Sequence, residues 1–375
     1  MAPQTMKEVH VSEDLQTKLY DSPIPEVPEG HLLIKIEVAS SNPKDWKIPT
    51  LLNSHIPKEL HRTPDNSGDD MAGTIVALGS NLKGNWHIGD RVAGFHVMVT
   101  VGGAYAEYGV IPEWTTLYLG TDPDQGGNGL RYEEAVTCTL AMYTAAVGLY
   151  QVFNYRAPWE RKTENDPRAG PIVIWGGSTA VGAFAIKFLK ASGAGPIITT
   201  VGKSRDFVAG LLDESKGDVI VDYRQEDAVG QIKKIIKERG LKIDKVFDCV
   251  SEGDCQILAG SIFEKEDNGH LAIVLPPDSR IPEGQKFTQV SVGSVHPQMG
   301  LDGWGGFKPG AQEDKEFARC LSTWVQTALK EGRFKGHPTR VIPGGLNGVG
   351  EGLRQLKEGK VNAEKLVYII KDTFQ

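Results

Sequence analysis

Short apolar runs, spaced by glycines and prolines, mark the first 150 positions of the chain. His31 to Ala39 alternates apolar and polar residues after a proline-rich turn, Pro23 to Gly30. Gly73 to Gly79, Arg91 to Phe95 and Ala104 to Ile111 repeat the pattern. Period-two alternation bounded by turn residues predicts strands, and several short strands in succession predict a small barrel or sandwich. From Arg131 the apolar spacing lengthens. Tyr132 to Val136 and Leu140 to Phe153 read as helix. The polar range 154–170, with Pro158, Pro167 and Gly170, reads as an exposed loop.

Beyond it strands and helices alternate. Ile172–Trp175, Pro196–Val201, Val219–Val221, Lys245–Val250 and His270–Leu275 are predicted strands. Gly182–Ser192, Phe207–Glu214 and Glu226–Arg239 are predicted helices, the last with Val229, Ile232, Ile235 and Ile236 on one face. This order predicts a parallel, doubly wound domain. The range 276–310, broken by Pro282, Pro297 and Pro309, carries no pattern. Helices at Lys315–Glu331 and Gly348–Glu358 and a closing strand at Glu364–Ile370 follow. Periodicity does not say against what this tail packs.

Composition narrows the class. The chain has 375 residues, 40% hydrophobic and 24% charged, which suits two ordinary globular domains. A net charge of −7 argues against a general nucleic-acid binder. No apolar run approaches a membrane span, and Met1 to Glu13 lacks the apolar core of a secretory signal. Cys138, Cys249, Cys255 and Cys320 form no C-x-x-C pair. The thiols therefore fit a reduced, cytoplasmic protein better than a structural zinc site.

The candidate chemistry centres on Pro171 to Gly182. A buried run, Ile172 to Trp175, ends in Gly176-Gly177-Ser178-Thr179 and leads into a helix. Such a turn aims backbone N–H groups and a helix N-terminus at one point, which suits a phosphate. The strict G-x-G-x-x-G spacing is not met, so a turn without a ligand stays open at this point. A dinucleotide fold expects an acid after the second strand to hold the ribose 2′-hydroxyl. Here Lys203, Ser204 and Arg205 precede the first acid, Asp206. Two cations favour a 2′-phosphate, hence NADPH, or else are a solvated loop. In the first half, Asp69 and Asp70 are compatible with a metal or sugar site, or with a capped turn. Lys44 and Lys47 suit either an oxyanion or the open surface. His55, His61, His87 and His96 show no ligand spacing, and no metal is assigned.

Taken together, these stretches resemble the medium-chain dehydrogenase/reductase superfamily over nearly the whole chain, from Leu32 to Ile370. The residues that carry the resemblance are Asn42-Pro43-Lys44-Asp45, Gly68 to Gly79 and Gly89-Asp90-Arg91-Val92. Gly176 to Gly182, Val221 to Arg224, and Gly344 through Gly359-Lys360-Val361-Asn362 to Val367 complete the set. The resemblance implies a GroES-like β-rich catalytic domain (1–148), a Rossmann domain with a doubly wound parallel sheet (149–308), and a C-terminal segment (309–375) returning to the first. It speaks against zinc, because Asn42 and Asp69 stand where zinc-dependent members carry Cys and His.

Among zinc-free members the chain is most similar to the fungal trans-acting enoyl reductases of polyketide biosynthesis. That likeness rests on Gly-Gly-Ser-Thr-Ala in the turn, the insert 154–170, and Lys47 closing Asn-Pro-Lys-Asp-Trp-Lys. It implies that Ser178, Thr179, Ala180 and Val181 line the pyrophosphate, and that Lys203, Ser204, Arg205 and Asp206 surround the 2′-phosphate and ribose. Tyr223 would pack by the adenosine end, and Leu275, Val361 and Asn362 would border the nicotinamide. Lys44, Asp45 and Lys47, with Thr144, would sit at the reacting centres, Lys47 and Thr144 as the catalytic pair. The implied reaction is NADPH-dependent reduction of an enoyl thioester on a growing polyketide, with a polyketide synthase or its acyl carrier domain as partner. The enzyme would be a monomer or homodimer. A carrier-docking patch is expected near Lys44, Lys47, Lys58 and Arg62. The alternatives are a free quinone or alkenal reductase, and an NADPH-binding protein without turnover.

Overall fold

A computed structural model describes residues 4–52, 65–122, 124, 129–163, 166–225, 227–264, 268–297 and 310–374. His55, Lys58, His61 and Arg62 lie outside the described residues. The chain divides into two units, Met1–Leu140 with Gly293–Gln375, and Ala141–Val292. The joins fall before the expected ones at 148 and 308. The reason is that the helical run after Leu140 packs with the second sheet, Gly148 lying against Phe247, while Val295 accepts a bond from Trp114 of the first unit.

The first unit opens with β1 (Thr5–Val11) and β2 (Thr17–Pro23), an antiparallel hairpin. No element was expected there. Val9 and Val11, two apart on one face, nevertheless enter the core, while Met6 is buried on the opposite face. Next come β3 (His31–Ser40), α1 (Pro43–Leu52), β4 (Asp70–Leu78), β5 (Arg91–Phe95), β6 (Tyr108–Pro112), β7 (Leu117–Tyr118) and α2 (Tyr132–Ala135). Proline at the first position of α1 suits a helix start, where no N–H is needed.

The second unit begins within α3 (Leu140–Ala146), which runs on as a wider π-turn through Val152. The stretch Tyr132–Val152 is long and apolar enough to cross a membrane, but 89% of its apolar window is buried inside the protein. Its length therefore reflects core packing, although no run of this kind was expected. The unit continues with β8 (Ile172–Trp175), α4 (Ala180–Ser192), β9 (Ile197–Val201), α5 (Arg205–Ala209) and β10 (Val219–Asp222). Then come α6 (Ala228–Glu238), β11 (Lys245–Asp248), α7 (Cys255–Gly260), β12 (His270–Ile273) and β13 (Lys286–Gln289). These strands form a parallel sheet in the order β10-β9-β8-β11-β12-β13. Strand order reverses between β8 and β11, the point outside which doubly wound sheets bind their ligands. β13 falls in the stretch that carried no sequence pattern.

The range 154–170 is not simply an exposed loop. Tyr155, Arg156 and Ala157 are buried, and the Arg156 guanidinium bonds to the Ser192 carbonyl at the end of α4. A cation there answers the negative end of the helix.

The tail supplies α8 (Gln312–Lys330), β14 (Thr339–Val341), α9 (Val349–Lys357) and β15 (Lys365–Ile369). β15 pairs antiparallel with β3, so the tail joins the first sheet, in the order β14-β15-β3-β4-β5-β7 with β6 on β3. Leu366 and Tyr368 of β15 enter the same core as Ile34, Met71 and Tyr105.

Candidate active site

In the first unit the stretches 40–45 and 68–70 and strand β15 bring five ionisable groups into one buried cluster. Lys44 holds it on one side. Its ammonium is 2.8 Å from Asp45 Oδ1 and 2.7 Å from Asp69 Oδ2. His96 Nδ1 faces the other oxygen of Asp69 at 3.2 Å. Asp45 Oδ2 accepts from the Asn42 N–H at 2.9 Å and from the Tyr105 hydroxyl at 2.7 Å. The Ser41 hydroxyl joins Tyr105, at 2.8 Å, to Tyr368, at 2.6 Å.

Burial and charge oppose each other here. Burial would lower the Lys44 pKa, but Asp45 and Asp69 together raise it above the ordinary lysine value. Burial raises Asp69, yet Lys44 and His96 leave it below the usual carboxylate value. Asp45 has only Lys44 as a nearby cation and shares it with Asp69. Burial therefore wins at Asp45, and its carboxyl is pushed up to about 6.

Asp70 forms the second half of the cluster. Its Oδ2 accepts from Ser40 at 3.2 Å and Asn42 Nδ2 at 2.7 Å, and pairs with the Lys365 ammonium. Its Oδ1 accepts from the N–H of Leu140 at 3.0 Å. Lys365 also donates to Asn42 Oδ1 at 2.9 Å. Asp70 is therefore the first residue of a strand and the acceptor of a lysine, not the cap of a turn. Gly68 belongs to this arrangement through space alone: a Cβ there would lie 2.8 Å from the Tyr105 ring.

Lys47 lies one turn beyond Lys44 on α1, half-buried, with its ammonium 5.3 Å from the centre of the Trp46 ring. Val361 packs into the same core as Trp46, and Asn362 beside it is exposed. Thr144 is a buried residue of α3. Sequence reasoning missed Ser41, Tyr105, Lys365 and Tyr368. Only Lys365 carried a signal, a cation opening the apolar run Leu366 to Ile370.

In the second unit the turn after β8 is tied down at its ends and open in its middle. Gly176 N–H donates to Thr200 Oγ1 at 2.8 Å and Gly177 N–H to the Thr200 carbonyl at 2.9 Å. Gly176 has φ +89°, and a Cβ on Gly182 would lie 2.3 Å from the Gly176 carbonyl. These two residues supply the sharp turn and the close helix approach of a dinucleotide fingerprint. Counted back from Gly182, the fingerprint spacing puts Thr179 in the place of the intervening glycine. The N–H groups of Ser178, Ala180 and Val181 have no hydrogen-bond partner among the described residues.

Thr179 behaves differently from Ser178. It is the N-cap of α4, its Oγ1 accepting from Gly182 at 3.0 Å and donating to the Gly176 carbonyl at 2.9 Å. Its single hydroxyl proton is already used, and the side chain of Ser178 has no such partner.

At the end of β9, Lys203 and Arg205 are exposed and make no hydrogen bond or ion pair with another described residue. Ser204 and Asp206 lie with them, Asp206 exposed. Tyr223 is 53% exposed, and its hydroxyl lies where a Cβ on Gly202 would come within 2.7 Å. A flat ring thus stands beside the stretch that carries Lys203 and Arg205, and the Arg205 charge also acts on Asp222. Leu275 follows β12, partly exposed, on the same edge of the sheet where the strands end. Asp222, the one carboxylate ending β10, is engaged by Arg224, which draws its pKa down to about 2.

Comparison with known proteins adds three findings. Residues 28–121 match the model of the alcohol dehydrogenase GroES-like domain. The chain is 36% identical over 352 residues to a trans-enoyl reductase, fsr4, of Gibberella fujikuroi, covering 92% of this chain and 94% of that one. It is 30% identical to the trans-enoyl reductase resD of Aspergillus sclerotiorum, over 93% and 96% of the two chains. An uncharacterized protein of Saccharomyces cerevisiae is also 30% identical, over 98% and 99%. Among solved structures, an alcohol dehydrogenase superfamily protein of Novosphingobium aromaticivorans superposes with a TM-score of 0.73 at 19% identity, over 97% and 99%. The CurK enoyl reductase does so with 0.69 at 17%, over 97% and 99%.

Proposed function

The chain belongs to the medium-chain dehydrogenase/reductase superfamily, and from that premise we propose that it is an NADPH-dependent, zinc-independent enoyl reductase acting in trans on a polyketide thioester. The observation that carries the cofactor reading is the open cradle of the second unit. Three unpartnered N–H groups at the start of α4 suit a pyrophosphate. Lys203 and Arg205, whose side chains form no ion pair within contact distance among the described residues, suit a 2′-phosphate, and the Tyr223 ring suits stacking against the adenosine end. The likeness to trans-enoyl reductases supports the substrate class and a polyketide synthase partner. The zinc-independent reading rests on chemistry. The positions where zinc ligands would stand, Asn42 and Asp69, face the ammonium groups of Lys365 and Lys44, and cations repel a metal ion.

Bound NADPH supplies the hydride that goes to the β-carbon of the α,β-unsaturated thioester. Negative charge then gathers on the thioester oxygen as an enolate. The Lys47 ammonium or the Thr144 hydroxyl stabilises that oxygen, a contact stronger in the transition state than before it. The α-carbon takes its proton from Lys47 or from water. The test is oxidation of NADPH and of NADH by the purified protein, with crotonyl thioesters, a free quinone and crotonaldehyde. Turnover of the thioester with NADPH supports the reading. Turnover of the quinone or aldehyde alone makes it a small-molecule reductase, and tight NADPH binding with no oxidation makes it a binding protein. Loss of turnover in Lys47→Ala with NADPH affinity kept would identify Lys47 as catalytic.

A further inference from the structure

Four donors from three separate stretches converge on the Asp70 carboxylate: the Ser40 hydroxyl, the Asn42 amide, the Lys365 ammonium and the Leu140 N–H. Three of them act on Oδ2 and one on Oδ1, so both oxygens of the carboxylate are engaged. Asp70 is fully buried and the Lys365 side chain is 3% exposed. Stability alone does not account for such a pair. Replacing a buried ion pair by apolar residues of similar volume is often neutral or stabilising.

What the pair joins is more telling. Asn42 is the residue before α1, the helix that carries Lys44 and Lys47, and its side chain is gripped by both Asp70 and Lys365. Leu140 is the first residue of α3, the helix that carries Thr144. A carboxylate on its first N–H also meets the positive end of that helix. Lys365 opens the strand that brings the tail back to β3, three residues after Asn362. One carboxylate therefore fixes the starts of both helices that bear the proposed catalytic groups, and the returning tail supplies its counter-ion.

We propose that Asp70, paired with Lys365, is the positioning residue of the reaction centre, setting where α1 and α3 begin. This rests on the reading that Lys47 and Thr144 are the catalytic residues. Neither Asp70 nor Lys365 touches the substrate in this role. They act through Asn42 and through the Leu140 N–H, and the ammonium of Lys365 does the joining that a bound cation would otherwise do.

The test is the double variant Asp70→Leu/Lys365→Met, which removes both charges together. NADPH affinity, set by the second unit, is expected to stay within about threefold, with KM for a crotonyl thioester little changed. The kcat should fall about 100-fold, the size of effect expected for a misplaced catalytic group. Amide hydrogen exchange gives a readout independent of turnover: exchange in Lys44–Thr50 and at the start of α3 should rise together by about tenfold or more. A folded double variant with native kcat, or with native protection in both helices, overturns the proposal.

If the native protein turns over no thioester, the functional reading fails by itself, and the exchange experiment still judges the positioning role. Should the double variant fail to fold, Asn42→Ser decides. It cuts the link to α1 and leaves the ion pair and the Leu140 bond. Exchange should then rise in α1 alone, and equal effects in both helices, or none, overturn the proposal.

Discussion

The buried cluster of the first unit and the turn of the second handle polar groups in opposite ways. Around Asp45, Asp69 and Asp70, each carboxylate meets a lysine of the same unit, and hydroxyls and N–H groups fill the remaining positions. At the turn after β8, three N–H groups find no hydrogen-bond partner among the described residues, and the side chains of Lys203 and Arg205 at the end of β9 make no hydrogen bond or close ion pair among them. Those N–H groups belong to partly exposed residues at a helix start, where the first N–H groups have no partner within the helix. The closed cluster shapes the backbone, and the open turn keeps its donors for the proposed cofactor.

The largest expected effect comes from breaking the closed side at one charge. Lys365→Met leaves Asp70 buried without its cation, and should destabilise the protein by about 3–5 kcal/mol in calorimetric unfolding. Asp70→Leu/Lys365→Met should recover most of that loss. Equal damage in the single and double variants would show that the lysine serves only as packing.

The second effect concerns Asp45, the one member of the cluster left short of cation. Its folded-state pKa of about 6 lies above the ordinary carboxylate value of 3.8. A raised folded pKa means that the folded protein binds the proton more tightly, so this contribution is full below pH 3.8 and is lost as pH rises through 6. Asp69 acts in the opposite sense, its lowered pKa giving stability above pH 3.8 that is lost in acid. Between pH 4 and 6.5 the stability of the native protein relative to Asp45→Asn should fall by roughly 2 kcal/mol. Chemical unfolding of both proteins across that range checks the slope, and a flat difference would mean that Lys44 serves Asp45 as fully as it serves Asp69.

On the open side, Lys203→Ala/Arg205→Ala should weaken NADPH binding by about 1.5–3 kcal/mol, the range for hydrogen bonds to charged groups. NADH binding should change little, since it lacks the 2′-phosphate. Fluorescence titration with both cofactors measures the ratio. A matched loss for the two would mean that these residues only shape the loop.

The same contrast explains what the sequence disclosed. The cradle is local: a strand, its glycines and a helix lie within about a dozen consecutive residues, and period and turn chemistry reveal them. The strands from Ile172 to Ile273 were legible for the same reason, their apolar runs being continuous and bounded by turns. The closed cluster draws on residues 40–45, 69–70, 96, 105, 140, 365 and 368, so no window contains it. Asp69 and Asp70 read alone as a turn, and Lys365 as the polar edge of a strand. The N-terminal hairpin escaped notice because Met6, Val9 and Val11 do not keep a strict alternation. Resemblance placed Asn42 and Asp69 where ligands would stand, but it could not say that lysines had taken up the space.

The smallest effect separates two roles for adjacent hydroxyls in the turn. Thr179 was expected to line the pyrophosphate, yet its proton goes to Gly176 and its lone pair to Gly182. Thr179→Ala should therefore act as loss of an N-cap, costing about 1 kcal/mol of stability. Thr179→Asn, whose side chain can also cap, should restore most of it. NADPH affinity should follow stability only weakly in both, because the phosphate would meet the N–H groups of Ser178, Ala180 and Val181 and not this hydroxyl. Thermal melts with and without NADPH distinguish the cases. If Thr179→Asn regains stability while its affinity stays tenfold down, the hydroxyl turns toward the ligand on binding, and even the capped end of the cradle belongs to its open side.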